Sequence, residues 1–175
     1  DIVLSPEMKS TGEVMALDYN VGNAYLKSQQ AAGNAISTSG GVFISLRDMD
    51  KEPALPLIRE LVEFGFDLYA TRGTATMLYD HGIRCHAVYR ISLGRPNLLD
   101  LLSEGKIQWI INTPSQGAAS MVDEIRMRSG AVAAGCPITT TMTAFAAAIE
   151  GLSTAMDLGR MTVCSLQEYH RHLCK

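Results

Sequence analysis

From residue 41 onward the chain alternates short, almost wholly apolar runs with longer stretches whose apolar positions recur at helical spacing. Val42-Phe43-Ile44-Ser45-Leu46 predicts a strand, after a Gly-Gly break. Leu55, Ile58, Leu61 and Val62 predict a helix over 51–64. The same reading gives strands at 66–70, 84–89, 109–111 and 137–139, and helices near 74–81, 97–104, 118–134 and 141–150. Gly82 and Gly105 stand where the second and third of these helices stop. Strands this apolar have no solvated face, so the alternation predicts an α/β fold: a three-layer, Rossmann-like arrangement around a five-stranded, mostly parallel sheet.

Residues 1–40 break this rhythm. Pro6 to Met15 is polar and reads as extended, residues 20–33 read as one amphipathic helix, and Ser37-Thr38-Ser39-Gly40-Gly41 resembles a linker. The division expected is therefore 1–40, an arm and linker belonging to a preceding unit, and 41–175, the α/β domain. An arm cut from its own sheet is expected to be mobile or to pack on a neighbour.

Composition narrows the function classes. Of 175 residues 47% are hydrophobic and 19% charged, and the formal net charge is −3. With no run of Lys or Arg, nucleic acid is not an expected partner. No apolar run approaches the roughly 18–20 residues of a membrane span, and no basic-then-apolar leader opens the chain. Cys85, Cys136, Cys164 and Cys174 are scattered, which points to reduced thiols and a cytoplasmic setting. His170, His172 and Cys174 read as the polar end of a C-terminal helix, so no metal site is expected.

In parallel α/β sheets ligands collect at the carboxyl ends of the strands. Thr71-Arg72-Gly73-Thr74-Ala75-Thr76 follows one strand and opens a helix, which brings backbone N–H groups, hydroxyls and a helix dipole to one spot, as an anion requires. It is neither a Walker loop nor a dinucleotide fingerprint. Lys51, Thr71, Thr74, Arg90, Asn112 and Thr113 all fall just after strands, so a dianionic phosphate is the expected ligand. Each has a plainer reading: Thr71 and Thr74 as helix caps, Lys51 as a surface lysine paired with Asp48 or Glu52, Asn112-Thr113 as a turn. No catalytic residue is expected. Asp48, Asp50 and Asp100 are the available carboxylates, and no histidine stands at a strand end beside one.

On these residues the chain resembles the end of the large subunit of glutamine-dependent carbamoyl phosphate synthetase. Pro6-Glu7-Met8-Lys9-Ser10-Thr11-Gly12-Glu13-Val14-Met15 is similar to the segment closing that subunit's second ATP-grasp unit. Ser45 to Lys51, Ala70 to Ala75, Gly94-Arg95-Pro96, Ile110 to Thr113 and Thr140-Thr141 resemble the allosteric domain that follows. The resemblance implies a methylglyoxal-synthase-like fold and an effector such as UMP or IMP, with Lys51, Thr71, Thr74, Arg90, Asn112 and Thr113 at the effector site. It implies as partners the adjacent synthetase domains, a glutaminase small subunit and further copies of the chain. ATP, Mg2+ and K+ would belong to the parent, with no cofactor in this segment. Pro114 and Met127-Arg128-Ser129 depart from the family pattern. Three other readings are a stand-alone methylglyoxal synthase, an N-acetylglutamate-tuned effector domain and an oligomerisation module. The first meets an obstacle, because Arg95 stands where the lyase's aspartate base would be.

Overall fold

The structure is a computed structural model that describes residues 14–114, 118–158 and 164–173. Twelve elements follow in the order α1 (Val21–Ala31), β1 (Gly41–Ser45), α2 (Asp48–Glu63), β2 (Asp67–Thr71), α3 (Arg72–Asp80), β3 (His86–Val88), α4 (Leu98–Ser103), β4 (Trp109–Asn112), α5 (Ala118–Ala133), β5 (Ile138–Thr139), α6 (Met142–Leu158) and α7 (Leu166–Leu173). The five strands form one sheet in the order β3-β2-β1-β4-β5, and every neighbouring pair is parallel. The chain thus builds outward from β1 to β3, then crosses back to place β4 on the other side of β1.

Alternate strand residues feed two cores. Val42, Ile44, Trp109 and Ile111 face one side with Ile58 and Leu61 of α2, Leu78 of α3, and Phe145, Ile149 and Leu152 of α6. Phe43 and Ile110 face the other with Leu98 and Leu101 of α4, and Met127 and Ala131 of α5. Each such side chain, once fully buried, contributes about 1.5–3 kcal/mol. The Trp109 ring stands edge-on to Phe66 and Phe145, and its Nε1–H donates to Thr139 Oγ1 at 3.0 Å.

Three boundaries differ from the sequence reading. Helix α2 begins at Asp48, so Lys51 lies inside its first turn; Asp48 and Asp50 there suit the positive end of the helix dipole. Helix α6 continues past residue 150 to Leu158. Its Gly151 is buried against α1: a Cβ there would come 2.5 Å from the Gly22 carbonyl oxygen. The third concerns the arm. Helix α1 does not stand apart from the α/β core but packs on α6, with Leu26 in the first core. The extended segment expected before it lies mostly outside the described residues, as does Cys174.

Candidate functional site

Strands β2, β1 and β4 end side by side, with Ser45 in register with Asn112 and Ile44 with Ala70. The strand order reverses between β1 and β4, and a crevice opens there because the outgoing connections run to opposite faces of the sheet. A cleft of about 280 Å³ occupies this edge. Lys51, Thr71, Thr74, Arg90, Asn112 and Thr113 all line it.

The hydroxyls do not cap helices. Thr71 is the N-cap of α3 by position, yet its side chain makes no capping bond. It donates instead towards Ser45 Oγ and Thr74 Oγ1, both at 3.4 Å. Thr74, fully buried, accepts from the Leu46 N–H at 3.2 Å. Thr113 accepts from the Arg47 N–H at 3.0 Å, while its own N–H donates to the Ser45 carbonyl at 3.1 Å. Arg47, N-cap of α2, likewise makes no side-chain capping bond. Two helices therefore begin at this cleft without a side-chain cap on their first-turn N–H groups, the usual condition for an anion site. Asn112 is 2% exposed, and its Nδ2 is buried without a hydrogen-bond partner. An unmet buried donor costs about 1–3 kcal/mol, so a group that satisfies it is favoured.

Charge at the cleft is mixed. Lys51 Nζ meets Asp48 Oδ1 at 2.6 Å, the plainer of the two readings offered for it, and this bond and charge hold the Asp48 carboxyl below its usual value. The lysine is nevertheless mostly buried while Asp48 is fully in solvent, so the pair is screened and exchangeable. A Cβ on Gly73 would come 3.5 Å from Lys51 Nζ, which places the ammonium against the first turn of α3. Arg47 forks onto Asp50, with Nε to Oδ2 at 2.6 Å and the second bond at 3.3 Å. Arg90 is exposed at the rim. Asp100 is committed elsewhere: it closes a capping box with Asn97 at the start of α4 and meets Arg95 at 2.8 Å. Arg95 is itself 82% exposed and does not line the cleft. Among the described residues, no cluster of His, Cys, Asp or Glu could hold a metal ion, and no helix is long and apolar enough to cross a membrane.

The six site residues named from the sequence leave out several that line the cleft, Asp123, Arg72 and Tyr89 among them. Asp123 of α5 is 7% exposed; Oδ2 accepts from Ser92 Oγ at 2.7 Å, and Oδ1 is buried without a partner. Its signal was available, because Asp123, Met127 and Ala131 share the buried face of α5 at i, i+4, i+8. Arg72 and Tyr89 form a stack at the rim, guanidinium carbon to ring centre 4.5 Å. They follow the last registered pair of β2 and β3, Thr71 with Val88, so it is the sheet register, which the sequence does not report, that brings them side by side.

Comparison with known proteins agrees with this architecture. A family model for the MGS-like domain matches residues 53–140. The chain is 45% identical over 171 residues to the carbamoyl phosphate synthase large chain, C-terminal section, of Methanopyrus kandleri, covering 98% of this chain and 31% of that protein. It is 44% identical over 170 residues to the carbamoyl phosphate synthase large chain of Acidobacterium capsulatum, covering 97% of this chain and 15% of that one. The C-terminal section from Aquifex aeolicus is 41% identical over 174 residues, 97% of this chain and 32% of the relative. The chain thus spans less than a third of the length of each of these relatives. With about half of its length inside the family match, and with its parallel sheet built largely on that stretch, the chain belongs to the MGS-like domain family.

Proposed function

We propose that the cleft binds a phosphorylated nucleotide effector of the UMP or IMP class. The chain is then the regulatory module of a carbamoyl phosphate synthase large chain, and occupancy modulates ATP-dependent carbamoyl phosphate synthesis in the units that precede it. One observation carries this reading: the buried, unpartnered Nδ2 of Asn112 lines a cleft that also holds two helix starts without side-chain caps and the cations Lys51 and Arg90. A phosphate dianion satisfies all of these at once. The unpaired oxygen of Asp123 suits a hydroxyl donor, such as a sugar, on the same ligand. Charge-assisted hydrogen bonds contribute about 1.5–3 kcal/mol each, and three or four, less the cost of association, support roughly micromolar to millimolar affinity.

In this reading residues 1–40 are the connection to the preceding ATP-grasp unit. ATP, Mg2+, K+ and the glutaminase small subunit act on parts of the parent outside this chain, in the cytoplasm. Effector and synthetase units are coupled reciprocally, so each changes the other's affinity by the same factor. Calorimetric titration with UMP, IMP and uridine tests the reading. The monophosphates are expected to bind at least tenfold more tightly than the nucleoside, a difference of about 1.4 kcal/mol; uridine binding as well as UMP would refute it.

A second reading, an oligomerisation surface, is favoured by Met121, Val122, Ile125 and Val132, which are all more than half exposed on α5. It is compatible with effector binding. Sedimentation over a range of concentrations reports it.

A further inference from the structure

Of the cations that line the cleft, Arg47 and Lys51 hold carboxylate partners. Arg72 has no ion pair among the described residues. It is also the first residue of α3, where the positive end of the helix dipole disfavours a cation unless an anion shares the site. What holds it there is Tyr89, just past the end of β3: the guanidinium lies 4.5 Å above the ring. The neighbouring Gly73 approaches Lys51 Nζ, so charges from α2 and from α3 itself meet at one helix start. Close by, the cleft wall carries the unmet buried donor of Asn112.

We infer that Arg72 is a third phosphate-binding cation of the cleft, beside Lys51 and Arg90, and that Tyr89 is the residue that positions it. The inference rests on the effector-binding reading above. The ligand class is a phosphate monoester dianion, which a planar guanidinium contacts through two parallel N–H groups. Stacking on Tyr89 fixes the plane of the fork before the ligand arrives, so less rotamer freedom is lost on binding. The bound dianion also offsets the unfavourable placement of Arg72 at the positive end of the α3 dipole.

The test is calorimetric titration of UMP and of uridine into the chain and its variants Arg72→Gln, Arg72→Lys, Tyr89→Leu, Tyr89→Phe and Lys51→Ala. Melting curves run beside it confirm that each variant is folded; Arg72 is exposed and its replacement leaves the cores intact. Arg72→Gln is expected to weaken UMP about tenfold while uridine binding stays the same. Arg72→Lys restores part of that loss, since it keeps the charge without the fork. Tyr89→Leu weakens UMP several-fold, and Tyr89→Phe, which keeps the ring, recovers it. If Lys51→Ala weakens UMP and Arg72→Gln does not, the effector site stands and the inference about Arg72 is overturned. If Arg72→Gln weakens uridine as much as UMP, the arginine contacts the nucleoside and its assignment to phosphate is wrong. If neither Lys51→Ala nor Arg72→Gln changes UMP affinity, the effector-site reading fails and the inference with it.

Discussion

At the seam where α1 and the residues just before it meet α6 and α7, the polar groups find one another, whereas at the carboxyl edge of the sheet several are left without partners. There Lys27 Nζ pairs with Asp18 Oδ2, just before α1, at 2.5 Å and donates to the Tyr169 hydroxyl of α7 at 3.1 Å, while Asn20 Nδ2 donates to Glu150 Oε1 of α6 at 2.6 Å. Among the described residues, Asn23 Oδ1 is the one buried side-chain atom there without a partner. Backbone meets backbone at Gly22 and Gly151, leaving no room for a ligand. At the sheet edge, Asn112 and Asp123 keep unpartnered buried atoms around an open cleft, and two helices start without side-chain caps. The first arrangement fastens the entering helix to the domain. The second costs folding energy, which any group that satisfied those buried atoms would return.

That contrast predicts that seam variants damage stability and cleft variants damage binding. The largest effect is expected from Gly22→Ala. Its Cβ would overlap the Gly151 N–H and lie 2.7 Å from the Glu150 carbonyl carbon, both backbone atoms that cannot rotate away. Overpacking of this kind costs about 1–3 kcal/mol. Urea denaturation should show that loss, and hydrogen exchange should rise first in α1, while UMP affinity stays near wild type in the molecules that remain folded.

Lys51→Ala is expected to do the opposite: UMP affinity falls tenfold or more, about 1.4 kcal/mol at the least, with little change in the urea midpoint. A midpoint that falls while affinity is kept would erase the distinction between the two regions. Asn112→Leu sharpens it further. Exchanging an unmet buried donor for an apolar side chain of similar size should leave stability unchanged or raised, since the desolvation penalty disappears. Nucleotide binding should weaken all the same.

The smallest effect concerns pH. Burial alone would raise the Asp18 carboxyl, but the Lys27 hydrogen bond, the Asn20 N–H, the Lys27 charge and the Asn23 amide together hold it below its usual 3.8. A depressed carboxyl contributes stability that is present above 3.8 and lost as pH falls through its folded value. Burial would lower Lys27, but Asp18 and Tyr169 raise it above 10.5, so its share is present below 10.5 and lost as pH rises through the raised value. The seam should therefore hold best between those limits, and Lys27→Met should flatten the acid side of the stability–pH curve. Nucleotide binding should instead weaken below about pH 6, where the phosphate loses its second charge.

The sequence made the sheet legible because its strands are continuous apolar runs, and the strand-end rule then led to all six expected lining residues. It was less informative wherever an outcome depends on a distant partner. The helix expected over 141–150 runs on because Gly151 is a contact point for Gly22, which lets α1, read as part of an arm of a preceding unit, pack on α6. Pro53 and Pro56 inside α2 obscure its true start at Asp48. Thr71 reads as a cap, but Ser45 and Thr74 across the strand ends compete for its hydroxyl. Asp123 shares its i, i+4, i+8 spacing with Met127 and Ala131, a signal that the strand-end rule passes over because it lies on a helix face.

The proposed effector site requires one phosphate in the cleft at the carboxyl edge of the sheet, and a crystal structure of the chain grown with UMP would show where that phosphate lies. The phosphorus is expected between the start of α3 and the ends of β1 and β4, with phosphate oxygens within hydrogen-bonding distance of Lys51 Nζ, the Thr71 hydroxyl and Asn112 Nδ2. A nucleotide seated elsewhere, or one in the cleft with its phosphate turned out to solvent, would contradict it.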